Sequence, residues 1–167
     1  MAGGIQPGTV ATDKYAKKLD KQLKNTAQEL KSYYADNDRV VHQKKLLKDQ
    51  IPGGKGACEP DGGVWFVDGR LVAVFEAKKQ NLRGNAIERW FKNNTIVRAI
   101  NSNASYVTFA SGSGAQEDEV IGKTLNVVHL NGFNKLIVGD NSTFLKPSGF
   151  TTKFIKDIMI ETIEASL

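Results

Sequence analysis

Apolar residues recur every three or four positions from Tyr15 through Leu19, Leu23, Ala27 and Leu30 to Tyr34. That spacing puts one apolar stripe on a helix, predicted to start at Lys14 behind an Asp13 cap and to end near Ala35. Lys14, Lys17, Lys18, Lys21 and Lys24 occupy the rest of the helix, as a solvated face or as a phosphate-contacting one. Residues 1–12 are rich in glycine and small residues and read as a mobile tail, leaving 13–167 as a single domain. A short helix is expected over Arg39–Lys48, before Pro52, Gly53, Gly54 and Gly56 break the chain.

Next comes a pattern of strands. Val64–Val67 and Leu71–Ala77 are apolar runs separated by Asp68-Gly69, a strong hairpin signal. On the second strand Leu71, Ala73, Phe75 and Ala77 share one face, and Val72, Val74, Glu76 and Lys78 the other. Helical spacing returns over 85–100, with Ala86, Ile87, Trp90, Ile96, Val97 and Ile100 on one side. Residues 104–110 (ASYVTFA) read as a buried strand, and 111–119 as a polar loop. The apolar segments 125–130 and 136–138 are ambiguous in type. Over 151–166, Phe154, Ile155, Ile158, Met159 and Ile163 mark the inner face of a last helix. This order predicts an α/β fold with a central mixed β-sheet flanked by helices.

Composition narrows the chemistry. The 167 residues carry a net charge of +5, compatible with a polyanionic partner. Cys58 is the one cysteine, which excludes an intrachain disulfide and paired-cysteine zinc sites. His42 and His129 are the only histidines and have no metal-ligand spacing. There is no membrane-spanning run and no signal-peptide pattern, so a cytoplasmic protein without a membrane partner is expected.

One constellation of charged residues stands out. Glu76 and Lys78 lie two apart at the end of a strand that is otherwise apolar, where charge is costly unless it serves a site. A hairpin turned at Asp68-Gly69 folds Asp61, just before the first strand, back toward them. Asp61 and Glu76 can hold Mg²⁺, a hard cation that prefers oxygen, with the backbone carbonyl of Ala77 as a further ligand. Lys78 can orient an attacking water and stabilise developing charge. The set suits phosphodiester hydrolysis. A bland alternative is a solvated Glu-x-Lys pair beside an ordinary Pro-Asp-Gly turn.

The runs PDGG (60–63), EAKKQ (76–80) and GNAIER (84–89) resemble, in that order, the EcoRI/MunI group of type II restriction endonucleases in the PD-(D/E)xK nuclease superfamily. The resemblance covers mainly residues 59–93. It implies a restriction-endonuclease-like core, with Asp61, Glu76 and Lys78 as catalytic residues and Mg²⁺ as cofactor. It also implies a homodimer acting on double-stranded DNA, paired with a DNA methyltransferase that protects the same site. By the same resemblance Gly84, Asn85, Ala86, Glu88 and Arg89 form the DNA-reading segment. Asn pairs bidentately with adenine, and a small residue such as Ala86 touches a thymine methyl. Glu88 and Arg89 can buttress one another across a dimer or meet base edges. Asn85 and Glu88 equally suit a helix cap and capping box, and both roles can hold.

In this group GNAIER accompanies an inner AATT. Arg83 stands where MunI, which reads CAATTG, also has arginine, and an arginine there can pair with guanine. The resemblance therefore favours CAATTG over GAATTC, with four-base 5′ overhangs. Arg83 as a plain phosphate contact is the alternative. Only three residues separate Gln80 from Gly84, where the family has a longer insertion. Either the DNA is less enclosed, or the N-terminal helices and the 111–119 loop take over that task. The competing functions are a non-cleaving DNA-binding protein and a less specific repair or phage nuclease.

Overall fold

The computed structural model describes residues 7–54, 59–78, 85–110, 126–131, 133–138, 141–145 and 152–167, with side chains at 19–54, 59–77, 92–109 and 152–167. The elements run α1 (Pro7–Tyr33), β1 (Val40–Gln43), β2 (Val64–Val67), β3 (Arg70–Lys78), α2 (Asn85–Ile100), β4 (Ser105–Ala110), β5 (Asn126–Asn131), β6 (Phe133–Val138), β7 (Asn141–Leu145) and α3 (Thr152–Glu164). Short 3₁₀ turns at Lys48–Gln50 and Pro52–Gly54 lie between β1 and β2.

The strands form one mixed sheet in sequence order, β1 to β7. β1, β2 and β3 are antiparallel neighbours, and β3, β4 and β5 are parallel. β5, β6 and β7 are again antiparallel. Parallel neighbours need a crossover, and α2 supplies the one from β3 to β4. The protein is thus α/β, a mixed sheet flanked by helices.

α1 forms because its apolar stripe has a partner. Leu19, Leu23, Ala27, Leu30 and Tyr34 are buried in one cluster with Trp65, Phe75, Val107 and Phe109 of the sheet and Ile155, Met159 and Ile163 of α3. Each fully buried leucine contributes about 1.5–3 kcal/mol relative to an exposed one. At the rim, the Gln22 side-chain amide donates to Thr152 Oγ1 (3.2 Å) and Lys156 pairs with Glu29 (3.4 Å), joining α1 to α3. α2 is anchored elsewhere. Its Val97 is buried outside that cluster, and Asn101, just beyond its end, donates from Nδ2 to the Leu71 carbonyl at 2.8 Å.

The hairpin is as expected. Asp68 (φ 52°) and Gly69 (φ 78°) both adopt positive φ, the pairing a two-residue turn requires. Arg39 clamps the turn from outside, donating through Nε and a terminal nitrogen to the Asp68 carboxylate, each at 2.9 Å. The bridge holds the Asp68 carboxyl below its ordinary range and raises the guanidinium.

Two expectations are corrected, and one open reading is resolved. α1 begins at Pro7, so residues 7–12 are helix and not tail, and Asp13 lies inside the helix. Proline suits a first helical position, where its missing N–H is not needed. Residues 40–43 form a strand instead of a helix, because β-branched Val40 and Val41 pair with Val67 and Phe66. The segments near 125–130 and 136–138 are strands, and β7 was not anticipated.

Candidate active site

The site is assembled at the end of the β2–β3 hairpin opposite the Asp68-Gly69 turn. The chain approaches β2 through Pro60-Asp61-Gly62-Gly63. The Gly63 N–H donates to the Pro60 carbonyl (3.2 Å), closing a turn. The Gly62 N–H then donates to the Phe75 carbonyl at 2.8 Å, and the Phe75 N–H to the Gly63 carbonyl at 3.3 Å.

Both glycines are needed for this approach. A Cβ on Gly62 would fall 2.6 Å from Phe75 Cβ and 3.1 Å from the Phe75 carbonyl oxygen. Gly63 has φ +84°, and a Cβ there would fall 2.4 Å from the His42 ring. The Trp65 indole N–H donates to the Gly62 carbonyl at 2.9 Å from within the core. The turn is fixed on both sides.

One step further along β3 the partner of the backbone changes. The Ala77 N–H is met by the Asp61 carboxylate, with Oδ2 at 3.3 Å. Asp61 therefore prolongs the hairpin ladder with its side chain and reaches the middle of Glu76-Ala77-Lys78. In an extended strand the N–H and C=O of one residue point to the same side, so the Ala77 carbonyl faces Asp61 as well. Asp61 and Glu76 are both half-buried.

Glu76 is oriented by its neighbouring parallel strand. The Tyr106 hydroxyl of β4 donates to Glu76 Oε2. The β3–β4 register pairs Val74 with Tyr106 and Glu76 with Thr108, so a tyrosine two residues before Thr108 reaches Glu76 from the same sheet face. Tyr106 is 2% exposed and Thr108 fully buried, so this side of the site is backed by the core of the sheet.

Of the sequence-predicted residues, Asp61 is hydrogen-bonded to Ala77, the residue that follows Glu76 in β3. Lys78 is the last residue of β3, in register with Ala110, and its side chain lies outside the described residues. Arg83 and Gly84 lie outside them entirely. Asn85, Ala86, Glu88 and Arg89 fall in the first turns of α2, as expected, but their side chains also lie outside. So do Cys58 and the His129 side chain.

The donor set is two carboxylates and a carbonyl, all hard oxygens, which fits Mg²⁺. No group of three or more His, Cys, Asp or Glu residues suited to a metal occurs among the described residues. Two participants were not foreseen in the sequence, Tyr106 and the Trp65 indole. Tyr106 could be read only as one aromatic in a buried strand, because nothing in the chain announces a parallel register. Among the described residues, no helix is long and apolar enough to cross a membrane. No family model, curated protein or solved structure matches the chain.

Proposed function

We propose that this chain is a magnesium-dependent endonuclease of the PD-(D/E)xK class, with a restriction-endonuclease-like core, that hydrolyses phosphodiester bonds in double-stranded DNA. The observation that carries the reading is the bond from the Ala77 N–H to Asp61. It sets one carboxylate against the backbone between Glu76 and Lys78, which supports a role for the three residues in one site. The resemblance of PDGG, EAKKQ and GNAIER to the EcoRI/MunI group supports the same reading from sequence.

Asp61, Glu76 and the Ala77 carbonyl would hold Mg²⁺, which when bound acidifies water and offsets charge on the phosphate. Asp61 is held for this by the β3 backbone, and Glu76 by the Tyr106 hydroxyl. Tyr106 is a positioning residue, since it acts through Glu76. The Lys78 ammonium orients the attacking water and stabilises charge as it develops on the phosphate oxygens. The water oxygen forms a new bond to phosphorus, one ester P–O bond breaks, and the departing oxygen takes up a proton.

Sequence selection is assigned to Arg83 and the GNAIER segment at the start of α2. The site is a palindrome with an AATT core, CAATTG ahead of GAATTC. A palindrome presents two equivalent strands, so the working form is a two-fold dimer. A methyltransferase of the same specificity is its partner in the cell.

Supercoiled plasmid tests the catalytic assignment. The wild type cuts in Mg²⁺ and not in excess chelator, and Asp61→Ala and Glu76→Ala do not cut while keeping the wild-type circular dichroism spectrum. Cutting by either variant at the wild-type rate rejects the assignment.

A further inference from the structure

Asp61 also lines a cleft of about 550 Å³ whose lining does not include Glu76. Its floor is the Pro60–Gly63 turn. One wall is α1, and the other is the end of β1 with the residue after it.

Three ammonium groups border this cleft. Lys24 and Lys31 are seven residues apart on α1 and therefore share a face, and Lys44 follows β1. All three are exposed, and among the described residues none has an ion-pair partner. Two carboxylates, Glu59 and Asp61, line the cleft at the turn. The cations are thus arrayed on the walls while the acids lie at the catalytic end. Lys31 is felt inside. Burial first, and the Lys31 charge second, hold the His42 ring below its ordinary pKa where it packs against Trp65.

We propose that this cleft is a phosphate subsite that binds a DNA backbone phosphodiester flanking the scissile one on the cut strand, through Lys24, Lys31 and Lys44. The proposal rests on the endonuclease reading for its substrate. Exposed cations lining a cleft that Asp61 also lines match a strand that must pass Asp61 and continue beyond it. Phosphate contacts of this kind fix register without reading sequence. One of the five lysines set out along α1 by the sequence, Lys24, thereby acquires a specific place.

The test is fluorescence anisotropy of a labelled duplex containing CAATTG, and of a second lacking AATT, over a range of salt in Ca²⁺. The full chain is compared with Lys24→Ala, Lys31→Ala, Lys44→Ala, their triple combination and an Arg70→Ala control. Arg70 is an exposed cation at the opposite end of the hairpin. Each lysine removed should make the slope of log affinity against log salt shallower by about 1, equally for both duplexes. Arg70→Ala should leave the slope unchanged, and thermal melts should show the variants folded. An unchanged slope in the folded triple variant overturns the proposal. So does an equal effect of Arg70→Ala, or no duplex binding by the wild type. Plasmid cutting in the same preparation separates the two readings. Cutting with an unchanged triple-variant slope removes the subsite alone. A shallower slope without any wild-type cutting removes the nuclease and keeps the subsite.

Discussion

At Gly62 a missing side chain decides where a carboxylate goes. The backbone there approaches Phe75 so closely that even a methyl group collides with Phe75 Cβ, an atom no side-chain rotation can move away. Gly62→Ala is therefore expected to lower unfolding stability by about 1–3 kcal/mol, the usual cost of overpacking. It should also reduce cutting by displacing Asp61. A urea midpoint and cleavage rate equal to wild type would contradict this. Tyr106 acts on the other carboxylate. A group that orients a metal ligand typically changes metal affinity or activity by about 10–100-fold. Tyr106→Phe should raise the Mg²⁺ concentration for half-maximal cutting by about that factor, leaving DNA affinity in Ca²⁺ unchanged. An unaltered Mg²⁺ dependence would show the hydroxyl to be structural only.

His42 gives a residue-scale test of the electrostatics. Burial first, and Lys31 second, lower its pKa from the ordinary 6.5. The unfolded chain then takes up the proton more readily than the folded one. His42 thus contributes stability that is intact above pH 6.5 and is lost as pH falls through the lowered value. An NMR titration should find the His42 ring titrating below 6.5, with Lys31→Ala moving it upward. A normal ring pKa, or a downward move in the variant, would contradict this. Residues of this kind differ in how legible they were. Asp61, Glu76 and the two glycines stood out because charge and turn chemistry are local in sequence. The His42 contact with Gly63 and Trp65 depends on β1 pairing with β2, which no local pattern encodes.

Among the elements, those with a long one-sided period were readable. The stripe Leu19, Leu23, Ala27, Leu30, Tyr34 is buried as its spacing predicts, and so are Ile155, Met159 and Ile163 on α3. The β2–β3 hairpin follows from Asp68-Gly69. Residues 40–43 form a strand where the sequence predicts a helix, because a four-residue strand is too short for a period to show. α1 also began earlier than expected, since small residues after Pro7 are compatible with either helix or tail. Leu23 connects element to site, being fully buried and lying against the Gly62 turn, where its Cδ2 is 3.3 Å from the position of a Gly62 Cβ. Leu23→Ala should cost about 2–5 kcal/mol, as cavities in close-packed cores do. A thermal melt within a degree of wild type would mean that α1 does not support the turn.

On the scale of the whole molecule, the mixed sheet was foreseen and its order was not. The order of hairpin, helix and strand predicts a mixed sheet, and β3–α2–β4 supplies a parallel pair within it. Which residues face one another across it depends on register, so the Tyr106–Glu76 bond emerged only in three dimensions. Asp61 and Glu76 both lie at the end of the hairpin opposite its turn, and α2 is the next described element in the chain after β3. In the proposed enzyme this couples the segment that reads bases to the strand that carries Glu76 and Lys78.

Mapping the ends of the DNA is the most direct test of that coupling. A sequenced plasmid incubated with the chain in Mg²⁺ should yield discrete fragments. Every end should lie within CAATTG and carry a four-base 5′ overhang, and Asp61→Ala should give none. A smear, ends outside any AATT, or intact plasmid at every Mg²⁺ concentration would contradict the site-specific endonuclease proposed for this protein.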